Sequence, residues 1–383
     1  MIIRDNWLTF NIARLANVPF QLFGQRPFVP PKKALILQTC CLSQVMLVTP
    51  LLAVLSDAYP YCRFDWAVSD WARPAIAGNP RLTEIISIGN GDLANMPWRD
   101  VQALIERIKQ EHYDTCFIPS RSSMLGYIAW RAGIPQRVGI NWRGRGFGHT
   151  VSIKPPDDEQ HVAAVYLTMA QAAGVDLPPG AMVDMEFYPP DVDRTAVTKR
   201  LIDDVEWMGE RPLIIIYPGG GTNPVRTDLR KRWPVERYVL LGNELIKKYQ
   251  AQIVLVGGEA EKEAAKAIAG MMVSPAANWA GQTSLGEMGA LCEIASLFIG
   301  GDSGPTHVAA AQACPTIAIF GPSLPAISRP YSTRVPVKTL WKDLGGREFS
   351  WALGVSVADV LTAAEELLAY RTAQNSSLPG ETA

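Results

Sequence analysis

Residues 301 to 307 read Gly-Asp-Ser-Gly-Pro-Thr-His, an acid, a hydroxyl and an imidazole crowded between glycines. Those types fit a serine nucleophile, a proton carrier or a cradle for an anion. The flanking residues favour the cradle. "LFIGG" (297–301) reads as a buried strand and "PTHVAAAQA" (305–313) as a helix with Pro305 in its first turn, so Asp302, Ser303 and Gly304 lie in a strand-to-helix turn. A helix start offers unpaired N–H groups and the positive end of a dipole, worth roughly 0.3–1 kcal/mol per anionic contact and up to about 2 when partly buried. A hydrolase elbow would need Gly-x-Ser-x-Gly, and Ser303 is followed directly by Gly304. From these residues alone Asp302 serves equally as an N-cap, and His307 as a helix residue bonded to a neighbouring strand.

A second anion-binding pattern lies upstream in "YPGGGTNPVRTDLRKRWPVERY" (217–238). A strand ends at Tyr217, Gly219, Gly220 and Gly221 follow, and Thr222 comes directly after them. Glycines there let backbone N–H groups approach an anion closely. Arg226, Arg230, Lys231 and Arg232 add positive charge, which suits a diphosphate better than a bare surface loop. Neither a Walker loop nor a dinucleotide fingerprint is present, because Gly-Lys-Ser/Thr and G-x-G-x-x-G are both missing.

The elements that must hold these turns are short apolar runs alternating with helical periodicity. Strands are predicted at 34–39, 63–69, 84–89, 114–120 and 137–140, and again at 212–218, 251–258, 296–301 and 316–322. Helices are predicted at 100–112, 236–249 and 261–272. Continuous Ile/Leu/Val strands between helices imply parallel sheets covered on both faces. The chain therefore reads as α/β, with a Rossmann-like domain at 33–180, a second at 196–345, and a proline-rich linker at 176–195 between them. Two doubly wound sheets bind ligands at the carboxyl ends of their strands, in a cleft. Ser356 and Asp359 predict a capping box, opening a helix at 354–372 that ends near Tyr370 and can pack back on the N-terminal domain, with disorder beyond Gln374.

Composition narrows the partners. The 383 residues suit about two domains, and 36 Lys+Arg against 37 Asp+Glu exclude the basic excess of a nucleic-acid binder. The six cysteines form no C-x-x-C pair and read as reduced thiols of a cytoplasmic protein. The four histidines are scattered, which argues against zinc. Asp191-Val192-Asp193 has the form of a metal-binding pair but falls in the proline-rich linker, where Asp is a turn former. No run is long enough to span a membrane and no signal peptide is evident. The extension at 1–32 interleaves aromatic and aliphatic residues with Arg4, Arg14 and Arg26, which suits either a helix packed on the domain or peripheral contact with the inner membrane face through residues 6–31.

"YPGGG" (217–221), "KRWPVERY" (231–238), "VLVGGEAEKEAA" (254–265), the run 280–311 and "PTIAIFGPSLP" (315–325) together resemble glycosyltransferase family 9, the heptosyltransferases that build the lipopolysaccharide core from ADP-heptose. Weaker echoes at 47–60 and 120–140 extend the likeness over roughly 33 to 370. The resemblance implies a GT-B fold, a nucleotide-sugar donor in the C-terminal domain, a glycan or lipid-linked acceptor on the N-terminal one, and inverting transfer without metal or other cofactor. It assigns Lys231 to the diphosphate, Ser303 and Gly304 to the turn whose amides hold it, Asp302 to the transferred sugar, and His307 to the vicinity of the phosphates. Glu261, ahead of Glu259, matches the acid on the nucleoside ribose, and Thr222 adds a phosphate contact.

One loop departs from the family. Where Gly-Asp is usual, the aspartate being the proposed base for the acceptor hydroxyl, "TCCLSQVMLVTP" (39–50) has Ser43 and Gln44. Glutamine positions a hydroxyl but does not take its proton, and general-base assistance is typically worth about 10²–10⁴ in rate. Either another group, with Asp65 and Asp70 as candidates, removes the proton, or the chain binds a nucleotide-sugar without transferring it. A sugar-nucleotide epimerase or hydrolase on the same fold is a further alternative. Arg121, Arg137, Arg143 and Arg145 suit an anionic acceptor or an ordinary solvated face.

Overall fold

The computed structural model describes residues 7–90, 93, 96–155, 160–223 and 227–377. The chain divides into two compact units between Val183 and Asp184. Each is an all-parallel, six-stranded sheet with helices packed on it.

The first unit contains β1 (Lys33–Leu37), β2 (Arg63–Val68), β3 (Leu82–Ser87), β4 (Thr115–Ile118), β5 (Gln136–Ile140) and β6 (Val151–Ile153), in the order β3-β2-β1-β4-β5-β6. Its helices are α1 (Trp7–Phe23), α2 (Leu42–Met46), α3 (Thr49–Ala58), α4 (Trp98–Gln110), α5 (Ser123–Arg131) and α6 (Val162–Ala172). Alternate strand residues Leu35, Leu37, Cys116 and Ile118 form one face, which is buried against Leu104 and Ile108 of α4 and Ile128 of α5.

The second unit repeats the plan with β7 (Leu213–Tyr217), β8 (Gln252–Leu255), β9 (Ala277–Asn278), β10 (Leu297–Gly301), β11 (Thr316–Ile319) and β12 (Val337–Leu340), in the order β12-β11-β10-β7-β8-β9. Its helices are α7 (Asp191–Val205), α8 (Val235–Tyr249), α9 (Lys262–Met271), α10 (Leu285–Ile294), α11 (Gly304–Ala311), α12 (Pro325–Ser328) and α13 (Val357–Ser377). The same period of two puts Ile214, Ile216, Ile253, Leu255, Ile299 and Ile317 into one core with residues of α8, α9 and α13. In both sheets the chain reverses its direction of winding between the first and fourth strands, β1/β4 and β7/β10, which is the ligand-binding position of such folds.

Several boundaries differ from the sequence reading. The edge strands β6, β9 and β12 were not expected, since runs of two to four residues carry too little periodicity to register. The linker is shorter than 176–195, because α7 already begins at Asp191 behind Pro190. Ser356 and Asp359 do form the predicted capping box, but α13 continues to Ser377, and its apolar face joins the core of the second unit. The reduced-thiol expectation also needs correction: Cys40 and Cys41 form a vicinal disulfide across a cis peptide, with a Cα–Cα separation of 3.1 Å. A search for C-x-x-C spacing does not test for a bond between adjacent cysteines. Cys62, Cys116, Cys292 and Cys314 are free thiols.

His149 is a buried titratable group within the first core. Its ring fills space left by Gly139 of β5 and Gly146, where an added Cβ would collide with it. Burial, reinforced by the Arg137 charge, lowers its pKa from 6.5 to about 3. The folded protein thus keeps His149 neutral where the unfolded chain protonates it. Stability is present above pH 6.5 and falls as pH drops from there towards about 3, by about 1.4 kcal/mol per pH unit for this group alone. Chemical denaturation of wild type and His149→Gln across that range should show a shallower pH slope in the variant; equal slopes would exclude the assignment.

Candidate functional site

The two sequence-predicted anion turns leave neighbouring strands. β7 pairs with β10, with Ile216 opposite Ile299 and Tyr217 opposite Gly300, so the loop from Pro218 and the turn at Asp302 emerge side by side at their carboxyl ends. Two glycines in the first loop have no substitute. At Gly219 an added Cβ would lie 2.5 Å from Glu261 Cγ and the Tyr217 ring, and Gly221 has φ +72° with its Cα facing the Asp228 carbonyl. The Asp228 N–H donates back to the Gly221 carbonyl at 2.6 Å, closing the loop.

Lys231 and Asp302 meet across this junction, Nζ to Oδ2 at 2.5 Å, with side-chain exposures of 25% and 10%. The sequence named both, 71 positions apart, and the fold brings them together. What holds Lys231 is the residue two positions later. Trp233 is 2% exposed, its ring packs edge-on to Tyr238 at 4.8 Å, and its Nε1 donates to the Val355 carbonyl at 3.0 Å. The Lys231 backbone therefore enters α8 from a fixed anchor.

The remaining basic residues divide by role. Arg230 is turned outward and paired with Asp228 at 2.8 Å. Arg226 lies outside the described residues. Arg232, which sequence reasoning treated only as added charge, donates from Nε to the Gly220 carbonyl at 3.1 Å and approaches Glu261 at 3.5 Å. Its Nη2 also reaches Thr222 Oγ1 at 3.4 Å. Glu261 is 6% exposed and accepts the Gly258 N–H at 3.0 Å. Desolvation raises its pKa, opposed by that N–H, by Arg232 and by the Tyr217 hydroxyl. Glu259, the less favoured acid, is exposed and paired with Lys262 at 2.6 Å.

At the start of α11 the Ser303 hydroxyl does not cap the helix. It bonds to Thr306 Oγ1 at 3.0 Å and to the Gly301 carbonyl at 3.3 Å, so no side chain occupies the first-turn amides. Gly304 opens the helix directly behind it. His307 is fully buried, with Nδ1 at 2.8 Å from the Ser303 carbonyl and Nε2 at 3.0 Å from the Ser328 carbonyl. Its ring ties the turn to α12, and burial lowers its pKa against the pull of the two carbonyls and Asp302.

In the first unit Gln44 lies on α2, just beyond β1, and Tyr166 Oη donates to its Oε1 at 3.0 Å. No sequence signal links residues 122 positions apart. Of the two candidate bases, Asp65 is excluded by position. It is fully buried in β2 beside Glu84 and Glu111, with Oδ2 accepting from Tyr113 at 2.8 Å. Asp70 lies at the carboxyl end of β2, where the Ser69 N–H reaches Thr39 and the Asp70 N–H reaches Gly89, and its Oδ1 accepts from Ser87 at 2.5 Å. Arg137 is not an acceptor contact, being 8% exposed and spent on backbone carbonyls of Ile134 and Gly148. Arg121 stacks on Trp142 at 3.6 Å. Asp191 and Asp193 belong to the first turn of α7; Asp191 pairs with Arg194 at 2.8 Å.

The family model described as glycosyltransferase family 9 (heptosyltransferase) matches residues 101–344. The chain is 28% identical over 318 residues to lipopolysaccharide heptosyltransferase 2 of Salmonella typhimurium, covering 80% of this chain and 87% of that protein. A solved family 9 glycosyl transferase from Veillonella parvula superposes with a TM-score of 0.74 at 21% identity, over 88% of this chain and 97% of that one. The Escherichia coli ADP-heptose lps heptosyltransferase II gives 0.71 at 23% identity, over 89% and 99%. The two Rossmann-like units are thus of the GT-B type.

Charge-assisted hydrogen bonds contribute about 1.5–3 kcal/mol each, or roughly 10- to 100-fold in affinity. Lys231→Met should weaken binding of inorganic pyrophosphate by that amount in calorimetric titration. Gly221→Ala, with a Cβ forced against Asp228 at positive φ, should do the same without removing a charge. Unchanged affinity in both variants would place anion binding elsewhere.

Proposed function

The chain belongs to glycosyltransferase family 9, and on that premise we propose that it transfers a heptose-like sugar from an ADP-activated donor to a lipopolysaccharide-type glycan, with inversion and without a metal ion. The observation that carries this reading is the Lys231–Asp302 pair between the glycine loop and the start of α11. Similarity to a lipopolysaccharide heptosyltransferase over most of both chains supports the substrate class.

The chemistry follows from charge. An acceptor hydroxyl attacks the anomeric carbon on the face opposite the nucleotide, the bond from that carbon to the phosphate oxygen breaks, and negative charge accumulates on the leaving diphosphate. Lys231 and the uncapped amides of α11 stabilise that charge, the office a divalent ion performs in other transferases. Asp302 keeps the lysine in place before the donor arrives and faces the sugar afterwards. Glu261 and Thr222 complete the donor contacts at the ribose and phosphate. His307 acts through the turn it holds.

The acceptor proton has no base at residue 44, because the Gln44 amide is neutral and its oxygen already accepts from Tyr166. Asp70 at the carboxyl end of β2 is the carboxylate we assign to that step. The same Gln44–Tyr166 bond favours a second reading, donor binding without transfer.

Incubation with ADP-heptose and a heptose-deficient core oligosaccharide, following ADP release and product linkage by NMR, separates the two. Transfer predicts release that survives EDTA, falls about 10²–10³-fold in Lys231→Ala and about 10²–10⁴-fold in Asp70→Asn. Tight ADP-sugar binding with no release would sink transfer in favour of binding alone. Sugar-nucleotide conversion without acceptor would indicate an epimerase or hydrolase.

A further inference from the structure

Among the described side chains of α1, Asn17 and Phe20 hold the helix to the first unit. Asn17, 1% exposed, donates from Nδ2 to the Gly144 carbonyl at 3.0 Å, and the Phe20 ring packs edge-on against Phe147 at 4.9 Å and Trp130 at 6.0 Å. The other side presents Ile12, Leu15, Val18, Leu22 and Phe23, which are 56%, 73%, 44%, 68% and 86% exposed. Their spacing of three and four residues makes a continuous apolar stripe. A stripe of this kind is costly in water unless something covers it.

The charge around it identifies the cover. From Asn6 to Ser56 the sequence contains Arg14, Arg26, Lys32 and Lys33 and no acidic residue. Arg14 and Arg26 are exposed, and α1 packs on the turn Trp142–Gly144, which carries exposed Arg143. Phe20 continues into a cluster of rings through Trp130, Tyr127 and Trp98, of which Trp130 and Trp98 are 41% and 50% exposed. Aliphatic stripe, cationic flank and half-exposed tryptophans match the layers of an anionic bilayer surface. A spanning role does not fit: no helix among the described residues is long and apolar enough to cross a membrane.

We propose that α1 docks the first unit on an anionic lipid bilayer, lying in the headgroup plane with Leu15, Leu22 and Phe23 sunk to the acyl boundary. This does not rest on the transfer reading, and lipid binding and sugar turnover succeed or fail separately. The test is co-sedimentation of the full chain with vesicles of phosphatidylcholine alone or with about a third phosphatidylglycerol. Binding should require the anionic lipid and weaken with salt. Leu15→Glu with Leu22→Glu should reduce it about tenfold or more, and Arg26→Glu should reduce it by less. Both positions of the double variant are at the surface, so its thermal midpoint and pyrophosphate affinity should match wild type. Absence of binding to anionic vesicles, or equal binding by the double variant, overturns the proposal. So does a wild-type dimer in light scattering that Leu15→Glu with Leu22→Glu converts to monomer, which would assign the stripe to a second copy of the chain.

Discussion

The geometry of the candidate anion site depends on the pairing of β7 with β10. Parallel strands 83 positions apart at Tyr217 and Gly300 lie side by side because the chain winds one way from β7 to β8 and β9 and the other way from β10 onwards. Right-handed crossovers then carry the helices away in opposite directions and leave the two carboxyl ends uncovered between them. The glycine loop and the turn at Asp302 both leave those two ends. Gly301 has no side chain at the point where the Gly219 and Lys231 carbonyls approach, so the loops close on each other through backbone.

A half-buried lysine is held best by a partner, and Asp302 supplies one while remaining 10% exposed itself. The pair is a stored arrangement: each charge holds the other where a substrate of mixed charge would need it. Its precision comes from apolar packing, because Trp233 fixes the backbone two residues after Lys231 and donates to a carbonyl just before α13. Arg232 performs the same task in the other direction, joining the Gly220 carbonyl to Glu261. The electrostatic site thus rests on a hydrophobic anchor and on hydrogen bonds to main chain, neither of which reacts.

The glycine loop, the basic run and the turn at Asp302 were legible in the sequence because their signals are local. Glycines at a strand end, a basic run and a strand-to-helix turn each mark themselves within a few residues, and long Ile/Leu/Val strands mark the sheet. What could not be read was contact at a distance. The sequence left His307 open between a place near the phosphates and a residue bonded to a neighbouring element, and only the fold puts its Nε2 within 3.0 Å of the Ser328 carbonyl. The predicted strand at 63–69 already separates Asp65 from Asp70, but not the contact that buries Asp65 beneath Tyr113 or the one that gives Asp70 the Ser87 hydroxyl. The vicinal Cys40–Cys41 bond has no spacing signal of its own.

The two units share a strand order yet spend it differently. At the β7/β10 junction the carboxyl ends carry a lysine, an aspartate and an uncapped helix start. At the β1/β4 junction they carry a disulfide, a neutral glutamine held by a tyrosine, and Arg121 stacked on an indole. One topology offers the same vacant position twice, and side-chain chemistry decides its use. Fixed opposite charges suit a ligand whose leaving group becomes more negative as it departs. Neutral hydrogen-bonding groups with an arginine suit a ligand that must be oriented while its own charge stays constant, as a sugar acceptor's does. Under the proposed transfer, the Gln44 amide can orient a hydroxyl, but it has no basicity with which to take the proton.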